Sequence, residues 1–159
     1  MSSAVQYLHN QGIVVVDCSP SSFVITRTMI VKLSHLAISS EVMELGSKAT
    51  LVTRYASPES LSSHTRSKTK ASDIFTLGTS LWHLMTGRAP FPFLQSDVGK
   101  QRNERGIHFH SRPNVQYHSD VLQTPISDCC QVEPNLRPNI EEVVARLGAG
   151  KLTIRGMLY

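Results

Sequence analysis

The stretch SDIFTLGTSLWHLMTGRAP (72–90) constrains this chain more than any other. Ile74, Leu77, Leu81, Leu84 and Met85 repeat with the helical period, and Phe75 and Trp82 flank that stripe. Such a helix is apolar over more than half its circumference, so a surface position would leave much of it in water. It is expected to be the buried axis of a domain, capped by Ser72 or Asp73 and closed by Gly87 and Pro90. A chain of 159 residues has room for one domain around such an axis, and its 40% apolar content supports a packed core over disorder.

The flanking segments supply material to cover that axis. AVQYLHNQG (4–12) places Ala4, Val5 and Leu8 at helical spacing and stops at Gly12, the pattern of a helix tail. Three β-branched runs follow, IVVVD (13–17), SFVIT (22–26) and MIVKLS (29–34), separated by turn-forming SPS and RT. They predict a small sheet with tight connections. From Ser39 to His64 periodicity vanishes, and this stretch reads as a long mobile loop ending in SPE (57–59). SDVLQTPISDCCQV (119–132) predicts a helix with Val121, Leu122, Ile126, Cys129 and Cys130 facing inward and Pro125 in its first turn or splitting it. A last helix starts at Asn139, with Glu142 completing a capping box, buries Ile140, Val143, Val144 and Leu147, and ends at Gly148. The fold class is therefore α+β, mainly α-helical, with a small β-hairpin region.

Several function classes are disfavoured by composition. No apolar run reaches the roughly eighteen residues of a membrane span, and the N-terminus MSSAVQYLHNQG lacks the charged-then-apolar order of a signal peptide. A soluble, cytoplasmic protein with no membrane contact is expected. Cys18, Cys129 and Cys130 are odd in number and form no C-x-x-C pair, so they read as small apolar residues rather than as a disulfide framework or zinc site. The formal charge is +4, with basic residues gathered in HTRSKTK (64–70) and KQRNER (100–105). No aromatic residues interleave with them, and they read as solvated loops rather than a nucleic-acid surface. His108, His110 and His118 lack a neighbouring Cys or acidic ligand at fitting spacing and read as surface residues, not a metal site.

Taken in order, AVQYLHNQGIV, the turn from Asp17 to Pro20, VKLS, SPE, SDIFTLGTSLWHLMTGRAPF and CCQVEPNLRP with its helix resemble the C-terminal lobe of a eukaryotic protein kinase domain over about residues 4–147. The spacing from Ser22 to His35 equals the family's spacing from the catalytic-loop asparagine to the metal-binding aspartate. The phrasing SSFVIT, VKLS, LAIS, SPE and SDIFTLG is nearest to the NIMA-related Ser/Thr kinases. The resemblance implies a kinase-like domain over 1–147, cut short at its N-terminus, and a C-terminal tail over 148–159. No G-x-G-x-x-G occurs, so the N-lobe with its phosphate-covering loop is expected to be absent.

Carried over residue by residue, the resemblance implies a degenerate site. The family's catalytic loop reads H-R-D-L-x-x-x-N; here it reads Val15, Val16, Asp17, Cys18, Ser19, Pro20, Ser21, Ser22. Asp17 retains the place of the catalytic base. Val16 stands for the arginine that receives an activation-loop phosphate, Ser19 for the lysine that steadies the phosphoryl group, and Ser22 for the asparagine that holds magnesium. His35, Leu36 and Ala37 replace D-F-G, and an uncharged imidazole is a poor ligand for magnesium. ATP and magnesium are therefore not expected as cofactors. Asp17 is expected to satisfy loop donors and form the turn before Pro20 rather than to act as a base.

Thr50 and Thr53 fall in the activation-segment equivalent, as phosphate acceptors without the usual arginine partner. The structural residues of the lobe persist: Glu59 matches the glutamate that pairs with Arg137, Asp73 the aspartate that binds the catalytic-loop backbone, and Val15 and Leu36 keep the apolar character of the internal spine. The function implied is a catalytically inactive, pseudokinase domain that binds protein partners through its helical surface or exposed cleft. The alternative is a weak or unconventional Ser/Thr kinase using ATP and magnesium, completed by an N-lobe from another chain or from upstream sequence. The face that meets the N-lobe in the family would here leave apolar surface open to a partner or to aggregation.

Overall fold

The computed structural model describes residues 1–34, 54–61, 68–90 and 120–156. Helix α1 spans Ser2–Asn10. Gly12 ends it in the left-handed region at φ 77°, its N–H donating to the His9 carbonyl at 3.1 Å and the Ile13 N–H to the Leu8 carbonyl at 2.9 Å. That pair of bonds is a Schellman closure, which needs a residue free to take positive φ.

The run 13–17 is not a strand, despite its β-branched composition. Two of its amides go to a side chain instead of a ladder: the Val15 and Val16 N–H groups donate to the Asp73 carboxylate at 2.7 and 3.0 Å. Strand propensity reflects fit to a buried, packed surface, and here Val15 and Val16 obtain burial without pairing. The sheet is formed by the other two runs. Strands β1 (Phe23–Ile25) and β2 (Val31–Leu33) pair antiparallel with Phe23 opposite Leu33, Val24 opposite Lys32 and Ile25 opposite Val31. Phe23 and Leu33, at the root of the hairpin, pack against the core.

Helix α2 (Pro58–Leu61) lies in the stretch expected to be a mobile loop. Tyr55, Ala56, Ser57 and Pro58 are buried there, so this part of it is packed structure. Helix α3 (Lys70–Thr86) is the axis, buried on every side from Ser72 to Ser80. Its cap is Thr69 rather than Ser72 or Asp73: Thr69 Oγ1 accepts the Ser72 N–H at 3.2 Å and the Thr69 N–H donates to Ser72 Oγ at 2.9 Å. Asp73 is committed elsewhere, to the 15–16 backbone. Gly87, at φ 64°, closes the helix as its position predicts. Leu84 is exposed instead of completing the apolar stripe, because the core gathers on the first half of the helix around Ile74 and Leu77.

Helix α4 (Asp120–Cys129) carries Pro125 inside it without being split. Ile126, Cys129 and Cys130 are buried and Leu122 is half-buried; the Val121 side chain lies outside the described set. The crossing of α3 and α4 is close at Gly78, where an added Cβ would meet Cys129 Cβ at 2.6 Å and Cys130 Sγ at 2.8 Å. Gly78→Ala would gain about 1 kcal/mol of helix propensity. Overpacking of about 1–3 kcal/mol opposes that gain, and the Cys129 Cβ cannot rotate away. A net loss of up to about 2 kcal/mol is expected, read as a lower urea midpoint at unchanged slope. A raised midpoint would show that the two helices separate at little cost.

Helix α5 (Ile140–Gly156) opens on the predicted capping box, with Asn139 Oδ1 accepting the Glu142 N–H at 2.9 Å and Glu142 Oε2 accepting the Asn139 N–H at 3.2 Å. It does not stop at Gly148. A glycine inside a helix costs only about 1 kcal/mol relative to alanine, too little by itself to end one.

Helix α3 packs on α4, α4 on α5 and α5 on α1. Val5, Val15, Cys18, Ile74, Leu77, Cys129, Ile140 and Val143 form the core they share. The observed architecture is mainly helical with one two-stranded sheet among the described residues. No described helix is long and apolar enough to cross a membrane. His35, Leu36, Ala37, Thr50, Thr53, His108, His110, His118, KQRNER and most of HTRSKTK lie outside the described residues.

Candidate functional site

Polar side chains on the buried axis hold the loop that follows α1. Asp73, fully buried, accepts the Val15 and Val16 N–H groups and the N–H of the His9 imidazole, the last at 2.9 Å. Two turns farther along α3, Ser80 Oγ donates to the Cys18 carbonyl at 2.8 Å. Thr79 Oγ1 lies 3.2 Å from the Tyr55 carbonyl, which shares the single Thr79 hydroxyl hydrogen with the Phe75 and Thr76 carbonyls of α3 at 3.2 and 3.0 Å, so the same helix touches the segment before α2. The apolar residues of α3 bury the helix, and its polar residues position the loop around Asp17.

Asp17 sits half-buried between these anchors. Its Oδ1 accepts the Ser19 N–H at 2.8 Å, closing an Asx turn ahead of Pro20. Ser19 and Ser21 share a hydroxyl hydrogen bond of 2.8 Å, and Ser22 is buried with its N–H donating to the Ser19 carbonyl at 3.0 Å. Just before Asp17, Val16 adopts φ 69°. A left-handed conformation in a β-branched residue costs about 1–3 kcal/mol, and it persists because Asp73 holds the amides of Val15 and Val16.

The charge of Asp17 reaches three neighbours. Burial pushes the Cys18 thiol well above its usual range, and the Asp73 and Asp17 carboxylates push it further. Burial likewise raises the Tyr55 phenol, opposed by Arg54 and aided by Asp17. Lys68 is lowered by burial, against the pull of Asp73, Asp17 and Glu59. It therefore puts a half-buried cation in the field of all three carboxylates. Tyr55 is tied in turn to α3, its hydroxyl meeting His83 Nδ1 at 2.5 Å with the two rings nearly parallel.

A second polar centre joins α2 to the chain before α5. Arg137 forks onto Glu59, Nη1 donating to Oε1 at 2.6 Å and Nη2 to Oε2 at 2.8 Å. Its remaining N–H groups reach the Gln131, Ala71 and Val132 carbonyls, and its guanidinium lies 5.0 Å from the Phe75 ring centroid. Both Asp73 and the Glu59–Arg137 pair thus occupy the structural places expected of them.

Among the described residues, the donor set in the loop around Asp17 is a poor fit to a magnesium ion. Its neighbours in the loop are serine hydroxyls, whereas magnesium takes hard, largely anionic oxygens in near-octahedral array. Among the described residues no group of three or more His, Cys, Asp or Glu comes together to hold a metal.

The family model for the protein kinase domain matches residues 1–147. The chain belongs to the protein kinase domain family. It is similar to the ovarian-specific serine/threonine-protein kinase Lok of Drosophila melanogaster, 28% identical over 150 residues, which cover 91% of this chain and 32% of that protein. It is similar also to sperm motility kinase 2B of Mus musculus, 31% identical over 146 residues, covering 89% of this chain and 29% of that protein. Against serine/threonine-protein kinase STY17 of Arabidopsis thaliana it is 27% identical over 153 residues, covering 92% of this chain and 25% of that protein. This kinase-family chain therefore spans no more than about a third of the length of these relatives.

Sequence reasoning did not pick out His9, Ser80 or Lys68 in this kinase-family site. A signal for His9 was present, since it follows Val5 by one helical turn on the same buried face. Lys68 had none, because it stands inside a basic run whose ordinary fate is solvation.

Proposed function

We propose that this chain is a catalytically inactive kinase-like domain, a pseudokinase, that works as a protein-interaction module. The loop around Asp17 carries this reading: Val16, Ser19 and Ser22 stand where the resemblance calls for an arginine, a lysine and an asparagine, while the anchors that hold the loop remain. The loop is held in place but poorly equipped. Phosphoryl transfer depends on positioning and on cationic stabilisation of the phosphate oxygens, of which a lone carboxylate supplies little. By the phrasing of its motifs we place the chain nearest to the NIMA-related Ser/Thr kinases. The alternative, a weak Ser/Thr kinase completed by an N-lobe from elsewhere, draws support from the retained Asp17 and the Lys68 cation in its field.

A thermal melt of the purified chain with and without saturating Mg-ATP separates the two. A ligand at about a hundred times its Kd adds about 2.7 kcal/mol, a shift of several degrees for a domain of this size. The expected result is a cooperative melt that Mg-ATP leaves unmoved, with no transfer of labelled phosphate to a generic protein substrate. A magnesium-dependent upward shift, with transfer that Asp17→Ala abolishes, would refute the pseudokinase reading and establish the alternative.

A further inference from the structure

Two of the three cysteines stand side by side at the end of α4, and the loop around Asp17 makes no use of them. Cys129 and Cys130 are buried thiols, and neither is in a disulfide. Both crowd one point on the axis. A Cβ added at Gly78 would meet Cys129 Cβ at 2.6 Å and Cys130 Sγ at 2.8 Å, so the missing side chain of Gly78 makes room for the pair. While α3 and α4 stay packed, the thiols are inert. Burial pushes the Cys129 thiol up to about 12, with Asp128 adding to the rise and Arg146 and Arg137 opposing it. Only a thiolate attacks a disulfide, and a thiol returned to water regains its ordinary acidity and reactivity.

The helix that carries the pair is weakly held at that end. Helix α4 has ten residues, and Pro125 inside it supplies no N–H to the helical ladder. Its last turn closes on the Cys130 N–H, shared between the Ile126 and Ser127 carbonyls at 3.2 and 3.1 Å. Helix ends of this kind fray at less cost than the unfolding of the whole domain. Adjacent Cα atoms lie about 3.8 Å apart, short of the roughly 4.4–6.8 Å that disulfides ordinarily span. A ring closed between Cys129 and Cys130 must therefore bend the backbone that joins them. Arg137 holds the Gln131 and Val132 carbonyls just beyond, so the bend falls on the last turn of α4 and draws Cys130 Sγ away from Gly78.

We propose that Cys129 and Cys130 are a dithiol modification site: when the end of α4 lifts from Gly78, a low-molecular-weight disulfide oxidises them to a Cys129–Cys130 disulfide, and the closed ring keeps that end lifted. The Cys130 thiolate attacks one sulfur of the small disulfide, whose S–S bond breaks and releases one small thiol. The Cys129 thiolate then attacks Cys130 Sγ, closing the ring and releasing the second small thiol. Two electrons pass from the cysteines to the small disulfide, and the two cysteine protons end on the two thiols released. Gly78 lies between Asp73 and Ser80 on α3, so the modification acts on the helix that holds the loop around Asp17. It is independent of whether the chain transfers phosphate.

The test incubates the purified full chain with oxidised glutathione at urea concentrations below the unfolding midpoint, alkylates the remaining thiols and maps the products by mass spectrometry. The expected product is a peptide carrying both cysteines, lighter by two hydrogens and free of glutathione. Its rate of formation should rise with urea, but less steeply than the global unfolding constant, the mark of a local opening. The oxidised chain should melt several degrees below the reduced one and recover when a dithiol reductant is added. Phenylarsine oxide, which bridges paired thiols through one arsenic, should bind the reduced chain in low urea and fail to bind Cys130→Ala. No disulfide at any urea concentration, stable glutathione adducts at either cysteine, or a bridge to Cys18 or to another chain would each overturn the proposal. So would a urea dependence as steep as that of global unfolding, or an oxidised chain that melts as the reduced one does. The decisive readouts come from the parent chain, so they stand even if the alanine variant folds poorly.

Discussion

Asp73→Ala should cost this chain about 4 kcal/mol or more of folding stability. The carboxylate accepts from Val15 N–H, Val16 N–H and the His9 imidazole, all in a site closed to water. Each buried donor left without an acceptor costs about 1–3 kcal/mol, and alanine leaves three of them together with a cavity. Domains of this size hold about 5–15 kcal/mol in total, so the variant would keep little margin. Asp73→Asn should recover only part of the loss, since its amide oxygen can accept while its NH2 group faces donors. Urea unfolding followed by circular dichroism measures the cost, and hydrogen exchange at the Val15 and Val16 amides reports whether the loop has come loose. A loss below about 1 kcal/mol would mean that water replaces the carboxylate, and that Asp73 does not hold the loop.

Arg137→Ala should cost about 3–5 kcal/mol by breaking a paired charge from one side. Arg137 is almost wholly buried and donates to both Glu59 oxygens and to the Gln131, Ala71 and Val132 carbonyls. Arg137→Lys should rescue little of this, because a single ammonium cannot reproduce the planar fork that meets the carboxylate and three carbonyls. Near-full stability of the lysine variant would show that charge alone, and not the fork, matters.

The same pair makes stability depend on pH. Burial pushes the Glu59 carboxyl up, but hydrogen bonds from Arg137, from its own backbone and from Ser57, with the Arg137 charge, outweigh it and hold the group below its ordinary 4.5. A carboxylate lowered by folding contributes fully above its unfolded value and loses that contribution as pH falls through the folded one. Between about pH 6 and about pH 3 the parent melting temperature should therefore fall more steeply than that of Glu59→Gln, which has no proton to take up there. Parallel curves would show that the pair is uncoupled from folding.

Several features were legible in the sequence because they are settled within a few residues. Gly12 and Gly87 end helices α1 and α3 where a positive φ is needed, and Asn139 with Glu142 opens α5. The 3.6-residue rhythm of Ile74 and Leu77 marked the buried axis, although it extended too far, to the exposed Leu84. Two long-range ties, Glu59 to Arg137 and Asp73 to the loop backbone, were legible only through the resemblance to the kinase family, since nothing local in the sequence joins residues so far apart.

Two of the misread parts share one cause, a distant partner that overrides a local preference. The valines of 13–17 have the composition of a strand, but a carboxylate 58 residues away takes the Val15 amide and leaves no ladder to form. Ser72 and Asp73 resemble caps, but Asp73 is drawn to the loop, and the cap passes to Thr69. Gly148 resembles a stop, but a glycine's small penalty does not end α5. Sequence alone therefore determined that the chain builds a helical domain on one buried apolar axis, because periodicity is written locally. Only the tertiary structure decided that the axis holds the loop around Asp17 through Asp73 and Ser80, and that Lys68 lies in the field of Asp17. Those outcomes depend on which groups desolvate together across dozens of residues, and no local pattern encodes that.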